Sequence, residues 1–137
     1  FLIHLNYNQQ KFEYELNKKL YSEKIPRTYT NFSTAELIKY SNNAFLATKI
    51  SFINSISNLC EKIPGANVDD IANAIGTDPR IGDSHTRVPG FDGKRGFGGA
   101  CFPKDTLAFA KFSDELSLLA KAIEINNQMA INTIYLY

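Results

Sequence analysis

The chain has 137 residues, 15 basic against 14 acidic side chains for a net charge of +1, and 44% hydrophobic residues that include 10 Phe and 7 Tyr. This suits one domain with an ordinary core, and the balanced charge leaves no electrostatic footprint for nucleic acid or an anionic membrane surface. Two cysteines, Cys60 and Cys101, exclude a disulfide-rich secreted scaffold; they allow one bridge, but free thiols in a reducing, cytoplasmic compartment are the expectation, and no apolar run is long enough to span a bilayer.

The start, Phe1-Leu2-Ile3-His4-Leu5, has neither an initiator Met nor the charged flank and cleavage site of a signal peptide, so a piece of a longer protein is expected. Alternation over residues 1–7 predicts a brief strand, and the polar stretch 8–23 a helix that Pro26 breaks. Arg27 to Phe32 reads as an extended connector. Ser33-Thr34-Ala35-Glu36 has the capping-box pattern, and no Gly or Pro follows until Pro64. Apolar residues recur at Leu37, Ile38, Phe45, Leu46, Ile50, Ile53, Ile56 and Leu59, mostly three or four apart, which predicts one long helix over 34–62. Its length and wide apolar face suit a dimer interface.

Asn67 is placed to cap a shorter helix, with Asp69 and Asp70 in its first turn and Gly76 as its stop. Residues 77–100 form a glycine-rich loop whose length in a compact domain suggests function. Pro103 fits the first turn of the next helix, and a last helix is expected over 114–133. Phe45, Phe52, Phe109 and Phe112 are expected to pack the core, and Cys60 to be an inert core thiol.

The chemistry concentrates in Gly96-Phe97-Gly98-Gly99-Ala100-Cys101-Phe102-Pro103-Lys104-Asp105. Glycines let backbone approach a ligand closely. They lead to a thiol at a helix start, where unpaired N–H groups favour negative charge. Lys104 adds a cation, and Asp105, four residues on, can order a water or accept a proton. Lys39 and Asn43, four apart, share one face of the long helix, where a cation and an amide can stabilise an oxyanion. Lys39 sits among Leu37, Ile38 and Tyr40, so partial burial is expected. On spacing alone, Lys39 and Asn43 would be a solvated helix face, Asp105 a residue favoured by the helix dipole, and Arg80 a surface arginine.

The runs Ala35-Glu36-Leu37-Ile38-Lys39 with Asn43, Ser51-Phe52-Ile53-Asn54, Leu59-Cys60-Glu61, Asp78-Pro79-Arg80-Ile81-Gly82, Phe97 to Asp105 and Ile125-Asn126-Asn127-Gln128 occur in one consistent order. Together they resemble the central domain of the UDP-glucose/GDP-mannose dehydrogenase family. The resemblance implies an all-α, helical central dimerisation domain built on one long helix, residues 33–137. Residues 1–32 would be a remnant of, or linker from, a preceding nucleotide-binding domain. The parent enzyme would be α/β, with two flanking Rossmann-like domains.

The resemblance also implies NAD-dependent oxidation of a nucleotide sugar's C6 alcohol to a carboxylate. UDP-glucose to UDP-glucuronate is the expected conversion, with GDP-mannose and UDP-N-acetylhexosamines as alternatives. Cys101 would form a thiohemiacetal and then a thioester. Lys39 and Asn43 would stabilise the oxyanion and position water, with Asp105 as partner for water or Lys39. Arg80 would contact substrate across a dimer interface, and the backbone around Phe97, Gly98 and Gly99, with Phe102 and Lys104, would cradle it. NAD would be bound mainly by a domain outside this chain, so the fragment alone is not expected to turn over. Gly96-Phe97-Gly98 is not a dinucleotide fingerprint, since no predicted strand precedes it and Cys101 stands where the third Gly would be.

The expected partners are the nucleotide sugar and a second copy of the chain, with no nucleic acid and no membrane. Against the enzyme stand a helical dimerisation module without catalysis, and a cysteine hydrolase, for which no His is suitably placed. His4 and His85 lack metal-ligand spacing with the cysteines.

Overall fold

A computed structural model of the chain describes residues 3–5 and 28–134. The chain divides into two compact units, Phe1–Ser41 and Asn42–Tyr137, the boundary falling within its longest helix. The helix expected over 8–23, and its break at Pro26, lie outside the described residues.

In the first unit, strand β1 (Ile3–Leu5) pairs in parallel with β2 (Thr28–Thr30), Ile3 opposite Thr28 and Leu5 opposite Thr30. Helix α1 (Phe32–Cys60) follows directly. It begins two residues before the expected start, because Asn31 caps it. The Asn31 side chain accepts the Thr34 N–H at 2.9 Å and its carbonyl accepts the Ala35 N–H at 3.0 Å. Asn caps as well as Ser, and it comes first after the strand, so Ser33 and Glu36 fall inside the helix. Lys39 is exposed rather than partly buried, its ammonium 5.7 Å from the centre of the Tyr40 ring.

From residue 31 onward the regular structure of the described residues is helical. The second unit holds the rest of α1, then α2 (Val68–Gly76), α3 (Phe102–Ala110), a 3-10 turn (Asp114–Leu116) and α4 (Ser117–Ile134). The turn after α1 closes through Pro64-Gly65, with Gly65 at φ +81°. Asn67 then caps α2, its side chain accepting the Asp69 and Asp70 N–H groups at 2.8 and 3.3 Å. Gly76 ends α2, but not as a left-handed stop. A Cβ there would stand 3.1 Å from Asp83 Cα, so glycine admits the returning chain.

The core has two seams. Ile53 packs with Ala72 and Val88, flanked by Ile56, Val68 and Ile75. The other seam joins α1 to α4, and α1 also buries the small residues Ala44, Ala47, Ser51 and Ser57. There Ser51 Oγ donates to the Ala122 carbonyl of α4 at 2.9 Å, and Asn58 Nδ2 to Met129 Sδ at 3.4 Å.

Three of the four phenylalanines expected in the core are outside it: Phe45, Phe52 and Phe112 are 69%, 56% and 77% exposed, and Phe109 is half-buried. On α1 the buried residues are mostly small, and Phe45 and Phe52 fall on the opposite side of the helix. Cys60, at the end of α1, is a half-buried free thiol rather than a core residue.

Candidate active site

The glycine-rich segment turns into α3 at Cys101, which occupies the N-cap position with Phe102 and Pro103 as the first two helical residues. Proline fits there because its fixed φ is helical and its missing N–H would have had no intrahelical partner. The Cys101 carbonyl accepts the Asp105 N–H at 2.9 Å, while its side chain makes no cap hydrogen bond. The thiol is free and exposed.

Asp105, one turn on, is only 4% exposed. Burying a carboxylate is costly unless it is paired, and this one is paired twice. Its Oδ2 accepts from Asn43 Nδ2 of α1 at 2.8 Å, across 62 residues of sequence. Its Oδ1 lies 2.8 Å from Lys104 Nζ, whose side chain is 71% exposed. Thus Asn43 and Asp105 are in direct contact, and Cys101 opens the helical turn that Asp105 closes. Lys39 lies in the other compact unit, four residues before Asn43 on α1.

The Arg80 segment is held differently. Lys49 Nζ of α1 donates to the carbonyls of Ile81 and Gly82 at 3.0 and 2.9 Å. The Arg80 guanidinium is 87% exposed and binds Asp78 through Nε and Nη2, the closest contact being 2.6 Å. Side-chain and then backbone hydrogen bonds from Arg80 hold the Asp78 carboxyl below its ordinary value of 3.8, and the same carboxylate pushes Arg80 further up. Among the described residues, the polar contacts of this guanidinium go to Asp78 and not to other candidate residues.

Residues 95–97 are pinned one after another. Arg95 bonds Glu61 Oε1 at 2.9 Å and Ser57 Oγ at 2.6 Å. The Gly96 N–H donates to Asn54 Oδ1 at 3.2 Å. The Phe97 N–H donates to Asn126 Oδ1 at 2.6 Å, and the Phe97 carbonyl accepts from Asn126 Nδ2 at 3.1 Å. The Phe97 ring is buried, 6.2 Å from the Phe102 ring, which His85 meets edge-on at 6.0 Å. Both backbone groups of Phe97 are therefore occupied, while Gly98 and Gly99 are exposed.

Sequence reasoning missed Lys49, Asn54, Arg95 and Asn126 as supports of this loop. Asn54 did leave a signal: it is a polar residue beside Ile53 on the apolar side of α1. Asn126 left none, because Asn127 and Gln128 beside it offer the same chemistry.

Among the described residues no three His, Cys, Asp or Glu side chains gather into a metal site. No described helix is long and apolar enough to cross a membrane. Nor is the segment 96–101 a dinucleotide fingerprint. The glycines at 96–99 follow no strand, and the helix they enter starts with a thiol rather than with open N–H groups above a glycine turn.

The family model "UDP-glucose/GDP-mannose dehydrogenase family, central domain" matches residues 33–130. The chain is 46% identical over 110 residues to a UDP-glucose 6-dehydrogenase of Rhizobium meliloti, covering 80% of this chain and 24% of that protein. It is 46% identical over 107 residues to the UDP-glucose 6-dehydrogenase YwqF of Bacillus subtilis, covering 75% and 23%. The chain thus spans about a quarter of the length of these curated relatives. Among solved structures, a UDP-glucose dehydrogenase from Pyrobaculum islandicum superposes with a TM-score of 0.78 at 33% identity, covering 94% of this chain and 29% of that one.

Proposed function

Because the chain belongs to the UDP-glucose/GDP-mannose dehydrogenase family, whose central domain it carries, we propose that it supplies the covalent half of a nucleotide-sugar 6-dehydrogenase, with UDP-glucose as substrate and UDP-glucuronate as product. The observation that carries the reading is the Asn43–Asp105 hydrogen bond, which joins the long helix to the turn that begins at Cys101. NAD, held elsewhere in the whole enzyme, supplies the acceptor for two hydrides. Residues 1–32 are a remnant of, or linker from, a preceding nucleotide-binding domain, a reading supported by the parallel pairing of β1 and β2, typical of α/β sheets.

This chain's own residues act between and after the two oxidations. Cys101 Sγ bonds to C6 of the aldehyde, the carbonyl π pair moves to oxygen, and the thiol proton completes a thiohemiacetal. The Asn43 amide stabilises the developing oxygen charge, and the family resemblance gives Lys39 the same role. Loss of the C6 hydride to the nicotinamide acceptor, together with loss of the hydroxyl proton to solvent, then leaves a thioester. Water adds to that carbon, the C–S bond breaks, one water proton goes to the sulfur and the other to solvent, and carboxylate and thiol separate. Asp105, fixed by Asn43, orients the water. Sulfur suits both ends of this sequence, since it attacks readily and leaves readily. The exposed backbone at Gly98 and Gly99, with Phe102 and Lys104, contacts the substrate. Arg80 exchanges Asp78 for a substrate group, and the free Cys60 and Cys101 suit the cytoplasm.

The assay is NADH formation by the full-length protein with UDP-glucose, GDP-mannose and UDP-N-acetylglucosamine. Two NADH per UDP-glucose supports the reading, turnover of another sugar alone moves the substrate assignment, and no NADH with any of them removes it.

The scaffold role is a second part of the same reading. Phe45, Phe52 and Leu59 are 69%, 56% and 51% exposed and recur every seventh residue, so they form one stripe along α1. A second copy of the chain, offering the same stripe about a two-fold axis, is the occupant we assign. Phe45→Glu combined with Phe52→Glu is expected to convert dimer to monomer in light scattering at micromolar concentration. An unchanged mass would remove this stripe from the interface.

A further inference from the structure

The glycine run before Cys101 is made of residues that sample many conformations, with Gly96 at φ +83° and Gly99 at φ +79°. A nucleophile at the end of such a run is useful only if something fixes its start. The polar atoms of the Phe97 backbone are both bound by one side chain, Asn126. A carboxamide is required for this, because one end must accept and the other donate. Exchanging its oxygen and nitrogen would mismatch both bonds, so the network also fixes its orientation.

Asn54, 1% exposed, accepts the Gly96 N–H through Oδ1, and its Nδ2 donates to the Ile50 carbonyl at 2.9 Å. Asn54 and Asn43 are eleven residues apart on α1, which is three turns, or about 16 Å of helix, and returns nearly to the same face. The segment 96–105 is therefore strapped along α1 at both ends, by Asn54 at Gly96 and by Asn43 at Asp105, with Asn126 of α4 locking Phe97.

We infer that Asn126, with Asn54, is a positioning residue that sets where the Cys101 sulfur stands relative to the Asn43–Asp105 pair. This rests on the reading of Cys101 as the nucleophile. The consequence is kinetic. Loosening the start of the strap lets the sulfur drift, and a misplacement of about 1 Å can cost on the order of a hundredfold in rate. Substrate binding, which draws on the Gly98 and Gly99 backbone but does not need an exact position of the sulfur, changes less.

The test uses the full-length enzyme, with kcat expressed per Cys101 thiol titrated by iodoacetamide. Asn126→Asp keeps the acceptor and size but removes the donor, and is expected to lower kcat roughly tenfold. Asn126→Leu removes both and is expected to lower it roughly a hundredfold, with KM within about threefold in each case. Amide exchange at residues 97–101 should quicken in both variants, while Asn127→Asp, at the exposed neighbour, changes nothing. Asn54→Asp carries the test if Asn126→Leu does not fold. A merely structural role would lower yield and Tm but leave kcat per titrated thiol within twofold of the parent, and that result overturns the inference. Failure of the underlying reading shows separately, as turnover retained by Cys101→Ala.

Discussion

Cys101→Ser in the full-length enzyme is expected to lower carboxylate formation by roughly a thousandfold or more while leaving the protein folded and able to bind the nucleotide sugar. The side chain is exposed and makes no cap hydrogen bond, so its replacement disturbs no packing. The loss is chemical. A serine hydroxyl needs a neighbouring base to attack, and the carboxylate one turn away is already engaged by Asn43 and Lys104. Any ester that did form would release its alcohol less readily than a thioester releases sulfur. The accompanying control is Cys60→Ser at the far end of α1, expected to retain kcat within about twofold, since it removes one half-buried sulfur and no candidate contact. Comparable losses at both positions would mean that a thiol effect on folding, not nucleophilicity, is being read.

The second large effect belongs to Gly96. An alanine there meets two separate costs. At φ +83° a side chain is strained by about 1–2 kcal/mol, and its Cβ would overlap Asn126 Oδ1. Relief requires Asn126 to move, which breaks bonds to Phe97 at about 1 kcal/mol each. The expected loss is therefore about 3–4 kcal/mol, a large share of a typical domain's stability. Gly99→Ala meets only the backbone cost, since φ is +79° but nothing lies within 4 Å. Gly98→Ala meets neither and is expected to be nearly neutral for stability. Urea midpoints, followed by far-UV circular dichroism, should fall in the order Gly96, Gly99, Gly98, largest loss first. Equal losses at 96 and 98 would contradict the clamp geometry.

The sequence carried the long helix because twenty-nine residues of α1 contain neither Gly nor Pro and repeat apolar residues at helical spacing. It carried Asn67 as a cap because the two acidic residues behind it agree with a helix start. It misplaced the start of α1, since the Ser33 to Glu36 pattern is a sound signal that loses to an equally good cap met earlier in the chain. It assigned Phe45 and Phe52 to the core because hydrophobicity records that a face is apolar, not whether this chain or another surface covers it.

The candidate site divides in the same way. A thiol after glycines and before Pro103 is visible as a helix start from local chemistry alone. The Asn43–Asp105 bond spans 62 residues and follows no local rule, so only the family resemblance placed the two residues in one site. Asn54 and Asn126 were not assigned roles because their partners are backbone atoms of a distant loop, and backbone atoms leave no mark in a sequence.

The claim on which the rest depends is that sulfur 101 carries the sugar covalently between oxidation and release. The most direct measurement is peptide mass spectrometry of full-length enzyme acid-quenched during turnover with UDP-glucose and NAD. The account predicts a fraction of the peptide containing Cys101 heavier by the sugar-nucleotide acyl group, with the mass returning to that of the free thiol once substrate is exhausted. Steady turnover with that peptide unmodified at every quench time, and its thiol fully open to alkylation throughout, would contradict it.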